Sequence, residues 1–112
     1  MKKIESIIRP YKLEELQSAL QEAGFNGLTV SEVRGYGRQK GHKEIYRGSE
    51  YNLEFVPKVR IDLVCASEKC ELAIKIILET CHTGKIGDGK IFISTIEEAI
   101  RIRTGESGIS AL

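Results

Sequence analysis

Two stretches of this chain, residues 2–34 and 58–94, each read as a short β-branched run, an amphipathic helical period and a second short run, while the residues between them keep no period. That repeated order restricts the fold more than any other feature. In the first unit Lys2 to Arg9 is Ile-rich and stopped by Pro10, which cannot donate to a ladder and holds the preceding residue extended. From Tyr11 the apolar positions fall at Leu13, Leu16, Leu20 and Ala23, the spacing of one helix face, closed by Gly24. Leu28 to Arg34 alternates around Thr29, Val30 and Val33 and predicts a second strand. In the second unit Lys58 to Cys65 alternates cleanly, with Val59, Ile61, Leu63 and Cys65 on one side. Ser67 is the expected N-cap of a second helix whose stripe is Cys70, Ala73, Ile74, Ile77 and Cys81, running until Gly84. Lys90 to Ser94 is a fourth strand, Thr95 to Ile100 a single helical turn and Arg101 to Arg103 a short extended piece, with nothing firmly held after Gly105. The sum is an α+β fold, a ferredoxin-like double split βαβ sandwich with a long loop between strands 2 and 3 and both helices on one sheet face. The other face, where Val64 sits among polar neighbours, points to a homo-oligomer, although a polar sheet face can also stay wet.

Length and charge narrow the functional classes. At 112 residues the chain is one domain, 1–112, large enough for a core without staples. Seventeen Lys and Arg against sixteen Asp and Glu leave net +1, which removes the long-range pull that non-specific nucleic-acid or anionic-membrane binders use. Cys65, Cys70 and Cys81 are odd in number and form no CxxC pair, so core packing is expected rather than disulfides or zinc. No apolar run approaches the roughly 20 residues of a membrane span, and no signal h-region follows Met1. The expectation is a cytoplasmic protein without membrane insertion.

The stretch from Gly35 to Pro57 exceeds the about 12–15 residues at which structureless connections become uncommon. It carries Tyr36, Tyr46, Tyr51 and Phe55 among Arg38, Lys40, Lys43 and Arg47, where an idle linker would be poor in aromatics. It reads as an interaction arm, with a solvated hairpin tip as the plainer alternative. A second stretch, Thr83-Gly84-Lys85-Ile86-Gly87-Asp88-Gly89-Lys90, allows backbone N–H groups to form an anion nest flanked by Lys85 and Lys90. A plain glycine-rich turn reads equally well, and the Walker A spacing is absent. Arg101 and Arg103 could add the convergent cations a polyphosphate needs, or could simply discourage edge pairing. His42 and His82 are isolated, Asp88 lacks an acidic neighbour, and no nucleophile elbow exists, so catalysis is not expected. An RNA-recognition reading lacks stacking aromatics on strands 1 and 3.

Four segments carry a resemblance: Arg-Gly-Tyr-Gly-Arg-Gln-Lys-Gly at 34–41, Tyr-Arg-Gly-Ser-Glu-Tyr at 46–51, Thr-Gly-Lys-Ile-Gly-Asp-Gly-Lys-Ile-Phe at 83–92 and Arg-Ile-Arg-Thr-Gly-Glu at 101–106. With them the whole chain resembles the PII nitrogen-regulatory signal-transduction proteins. The resemblance implies a homotrimer with ATP or ADP in clefts between subunits, a T-loop at 36–56, a B-loop at 83–90 and a C-terminal loop and tail at 101–112 reaching in from the neighbouring subunit. It implies that Gly87, Asp88, Gly89, Lys90, Arg101 and Arg103 hold the phosphates. Gly35, Gly37, Arg38 and Gln39 would join from the T-loop base, with Ile7, Thr29 and Val64 along the base and ribose.

By the same resemblance Gln39 ligates a Mg²⁺ shared by ATP and 2-oxoglutarate, and Lys58 with Gly87 receives the metabolite. Implied partners are an ammonium transporter, into which Arg47 would insert, N-acetyl-glutamate kinase, and a uridylyltransferase acting on Tyr51 or a kinase and phosphatase acting on Ser49. Ser-Glu-Val-Arg-Gly at 31–35 with Ser49 points to a cyanobacterial or plastid type, hence the plastid stroma if the chain is plastid-encoded. Asp62 stands where such proteins usually carry Glu. The expected function is non-enzymatic nitrogen signalling, with at most incidental slow ATP hydrolysis. A small ferredoxin-like phosphohydrolase is the alternative.

Overall fold

The computed structural model describes residues 1–36 and 55–112. Strands β1 (Lys2–Ile8), β2 (Thr29–Gly35), β3 (Val56–Cys65) and β4 (Lys90–Thr95) form one antiparallel sheet in the order β2-β3-β1-β4. Helices α1 (Leu13–Glu22) and α2 (Cys70–Cys81) complete two strand-helix-strand units, each split by a strand of the other. This is the expected α+β arrangement. The core lies between the helices and one sheet face, built on Ile4, Ile8, Leu16, Leu20, Phe25, Ile61 and Ala73. Cys65, Cys70 and Cys81 are buried and free, as a packing role requires, and burial pushes the Cys81 thiol up to about 11.

Local signals place most boundaries. Pro10 opens a 3-10 turn, Pro10–Lys12, and α1 begins at Leu13 rather than Tyr11. Gly24, at φ 96°, ends α1: its N–H donates to the Gln21 carbonyl at 3.0 Å, and that of Phe25 donates to Leu20 at 2.9 Å. Phe25 then packs with Leu20, which is completely buried. Ser67 is not an N-cap. It sits inside a 3-10 turn, Ser67–Lys69, and makes no side-chain cap bond; its backbone carbonyl accepts the Cys70 N–H instead. The helix ends at Cys81, with His82 already extended.

The segment after β4 departs most from expectation. Thr95 pairs with Lys2 and Ile96 N–H donates to the Met1 carbonyl, so the ladder runs on past β4 and no helical turn forms at 95–100. Glu98 helps prevent the turn, because its carboxylate takes the N–H groups of Ala99 and Gly108. Ile100 bridges Ser107, and residues 102–104 turn rather than extend. The tail is held as well, by a 3-10 turn at Gly108–Ala111 and by the Arg101 guanidinium, which donates to the Leu112 carbonyl oxygen at 3.0 Å.

Register assigns the second sheet face. Lys3 lies opposite Val64 and Ser94, Glu5 opposite Asp62 and Phe92, and Ile7 opposite Arg60 and Lys90. On β2, Thr29 faces Asp62, Ser31 faces Arg60 and Val33 faces Lys58. No helix among the described residues covers this mixed face, on which Phe92 is half exposed. Among the described residues no helix is long and apolar enough to cross a membrane.

Truncating Leu20 removes a core side chain and the packing partner of Phe25 at the end of α1. Leu20→Ala is expected to cost about 2–5 kcal/mol in urea unfolding with little change in the denaturant slope.

Candidate functional site

The ends of two strands and the starts of two others gather at one edge of the open face. There β1 finishes at Ile8, β2 finishes at Gly35, β3 has just begun at Lys58 and β4 starts at Lys90. The loop arriving from α2 is pressed onto this junction. A Cβ built on Gly89 would stand 1.7 Å from the Ile7 carbonyl oxygen, so only glycine permits the approach, and its φ of 102° is itself left-handed.

Inside the loop one carboxylate organises the backbone. Asp88 Oδ2 accepts the N–H groups of Thr83 at 2.8 Å and Gly84 at 2.9 Å. Its Oδ1 accepts the Thr83 hydroxyl and, at 3.2 Å, Arg9 Nε. The Thr83 hydroxyl and backbone hydrogen bonds, with those of Gly84 and Arg9, hold the Asp88 carboxyl far below the usual carboxylate range. Two cations bind the loop from beneath: Arg9 Nη2 donates to the Ile86 carbonyl at 3.0 Å, and Lys58 Nζ donates to the Gly87 carbonyl at 2.5 Å. Burial pulls the Lys58 ammonium below its ordinary value, Arg9 lowers it further and Asp88 opposes both.

These contacts set the direction of the backbone. Across a trans peptide C=O and N–H point opposite ways. Turning the Ile86 and Gly87 carbonyls toward Arg9 and Lys58 therefore turns the N–H groups of Gly87 and Asp88 away from them. Gly87 and Gly89 have positive φ and Asp88 does not, an alternation that suits successive N–H groups to an anion. Lys90, exposed on the same sheet face as Ile7, adds a cation beside them.

The structure thus joins Ile7, Gly35, Lys58, Gly87, Asp88, Gly89 and Lys90. Lys58 packs on Gly35, where a Cβ would lie 3.4 Å from its side chain, and the Tyr36 and Phe55 rings meet at 5.7 Å across the two roots of the long loop. Thr29 and Val64 share the open face but lie in other cross-strand rows. Arg101 and Arg103 follow the far end of β4, about 16 Å of strand from Lys90, so one chain alone does not bring them to the loop. Arg101 is occupied by Glu106 at 3.5 Å and by carbonyls of the tail. Gly37, Arg38, Gln39, Arg47, Ser49 and Tyr51 lie outside the described residues, as does His42.

Sequence reasoning passed over Arg9 and missed what Asp88 does. A strand-end arginine before proline has no local mark of function; only the register that sets Ile7 beside Lys90 brings it under the loop.

Comparison with known proteins supplies the wider context. The family model described as Nitrogen regulatory protein P-II matches residues 1–106. The chain is 60% identical over 112 residues to the nitrogen regulatory protein P-II of Bradyrhizobium diazoefficiens and 57% to that of Rhizobium meliloti, covering 100% of both chains in each case. Identity to the protein of the same description from Pasteurella multocida is 54%, again over full length.

The depressed Asp88 carboxyl gives a pH signature. Its contribution to stability is complete above the unfolded-chain value of about 3.9 and is lost as pH falls toward the lower folded value. Thermal midpoints of wild type and Asp88→Asn should differ by a constant amount from pH 7 to about pH 5, and the gap should close below about pH 4. A gap that persists unchanged at pH 2 would remove the carboxylate from this role.

Proposed function

Because the chain belongs to the nitrogen regulatory protein P-II family, whose members serve nitrogen-regulatory signalling, we propose that it reports adenine nucleotide and 2-oxoglutarate levels to nitrogen-assimilation targets. The observation that carries the reading is the 83–89 loop. Its carbonyls at Ile86 and Gly87 are drawn inward by Arg9 and Lys58, which leaves N–H groups and Lys90 for a polyphosphate. The residues fit such a group, since Gly89 leaves no room for a side chain and the loop's own carboxylate, Asp88, is already hydrogen-bonded.

In this reading Gly87, Gly89 and Lys90 hold the phosphates, Asp88 keeps the loop in shape, and Ile7, Thr29 and Val64 border the base and ribose. Arg101 and Arg103 act on a neighbouring subunit's nucleotide in a homotrimer, an arrangement that the distance along β4 favours over one within a single chain. By the family resemblance Arg38 and Gln39 would join the site, Gln39 as a ligand of Mg²⁺. A divalent cation would offset the charge of a dicarboxylate lying beside a triphosphate. Lys58, at the root of the 36–56 loop and bonded to the Gly87 carbonyl, is suited to pass a carboxylate's arrival to both loops.

Output then comes from the loop, through docking on an ammonium transporter by way of Arg47 and on N-acetyl-glutamate kinase. Modification would fall on Tyr51 by a uridylyltransferase or on Ser49 by a kinase and phosphatase, either of which places negative charge on the loop. A hydrolase reading is weaker: Asp88, the loop's only carboxylate, has its oxygens committed to Thr83, Gly84 and Arg9 and is not poised as a base.

Calorimetry tests the reading. 2-Oxoglutarate should give binding heat only when Mg-ATP is present and none with Mg-ADP. Equal binding in the absence of nucleotide would overturn it.

A further inference from the structure

We infer that Arg9 is a positioning residue for the anion site: its guanidinium, spanning the Asp88 carboxylate and the Ile86 carbonyl, aims the Gly87 N–H at the polyphosphate without touching it. The inference rests on the reading of the 83–90 loop given under Proposed function.

Arg9 departs from a rigid anchor. It follows the last paired residue of β1, its backbone is extended at φ −68° and ψ 139°, and Pro10 restricts it to that region. Its carbonyl is fixed too, accepting the Lys12 N–H at 3.0 Å. From this base Nε reaches Asp88 Oδ1 at 3.2 Å and Nη2 reaches the Ile86 carbonyl at 3.0 Å. The guanidinium also lies against Gly87, where an added Cβ would come within 3.2 Å of Nη2. Arg9 therefore touches the loop at three consecutive residues.

Two consequences follow. Holding the Ile86 carbonyl inward holds the Gly87 N–H outward, because the two share one trans peptide. Pairing Arg9 with Asp88 also neutralises the fixed negative charge next to the site, which would otherwise repel phosphate oxygens. Lys58 contributes the equivalent bond to Gly87, but as a single ammonium on a flexible stem. A planar fork meets two acceptors at a set angle, which lysine cannot reproduce.

The full-length chain and its variants Arg9→Gln and Arg9→Lys separate aiming from general attraction. Titration with inorganic triphosphate and with Mg-ATP, read by calorimetry and by the amide proton shifts of Gly87 and Asp88, supplies affinity and local geometry together. Both variants should bind triphosphate about tenfold more weakly, the size expected for a lost charge-assisted contact, with reduced shifts at Gly87. Thermal midpoints should show that Arg9→Lys remains folded even if Arg9→Gln does not. Wild-type affinity in Arg9→Gln overturns the inference, and so does full recovery in Arg9→Lys, since charge alone would then suffice. Wild type that binds triphosphate but takes ATP no more tightly would refute the nucleotide reading and leave Arg9's role standing; wild type that binds neither would overturn both.

Discussion

The contact between the backbone of Gly89 and the carbonyl of Ile7 governs the geometry of the whole site. Because a Cβ at Gly89 would overlap that oxygen, the loop from α2 descends onto the end of β1 and β4 starts in register beside it. Every cation beneath the loop owes its usefulness to this approach. Arg9 and Lys58 come from two different strands, and neither would reach Ile86 or Gly87 if the loop stood a side chain's width farther out.

Charge is arranged in two layers over this contact. Below, Asp88 gathers two backbone N–H groups, a hydroxyl and a guanidinium, so a negative group sits at the centre of a basic site without leaving its charge exposed. Above, the displaced N–H groups and Lys90 present positive potential to solvent. The chain is close to neutral overall, at net +1, so an attraction for an anion would have to be local in origin.

The same economy shapes the C-terminal segment. Arg101 donates to carbonyls of Ser110, Ala111 and Leu112 and faces Glu106, folding residues that composition alone leaves loose. Ile102 between the two arginines is wholly exposed and Ile100 largely so. Exposed apolar surface flanking a pair of guanidiniums is the kind of patch that marks an interaction surface.

Periodicity was enough for the strands and helices, because burying one face of a strand or helix imposes spacings of two or three to four residues that a chain of this length cannot hide. The alternation at 58–65 and the Cys70 to Cys81 stripe lie where they were read, and the glycines at 24 and 89 announced sharp local geometry. The segment after Thr95 was not legible, since the Glu98 carboxylate and the Ile100 to Ser107 bridge reach across residues that carry no period. Nor was the role of Arg9 and Asp88. The sequence by itself determined which residues could turn, pair and pack; tertiary structure alone decided that a strand-end arginine and a loop aspartate would meet. Their bond joins positions 79 residues apart, and such a contact depends on strand register, which local propensity does not encode.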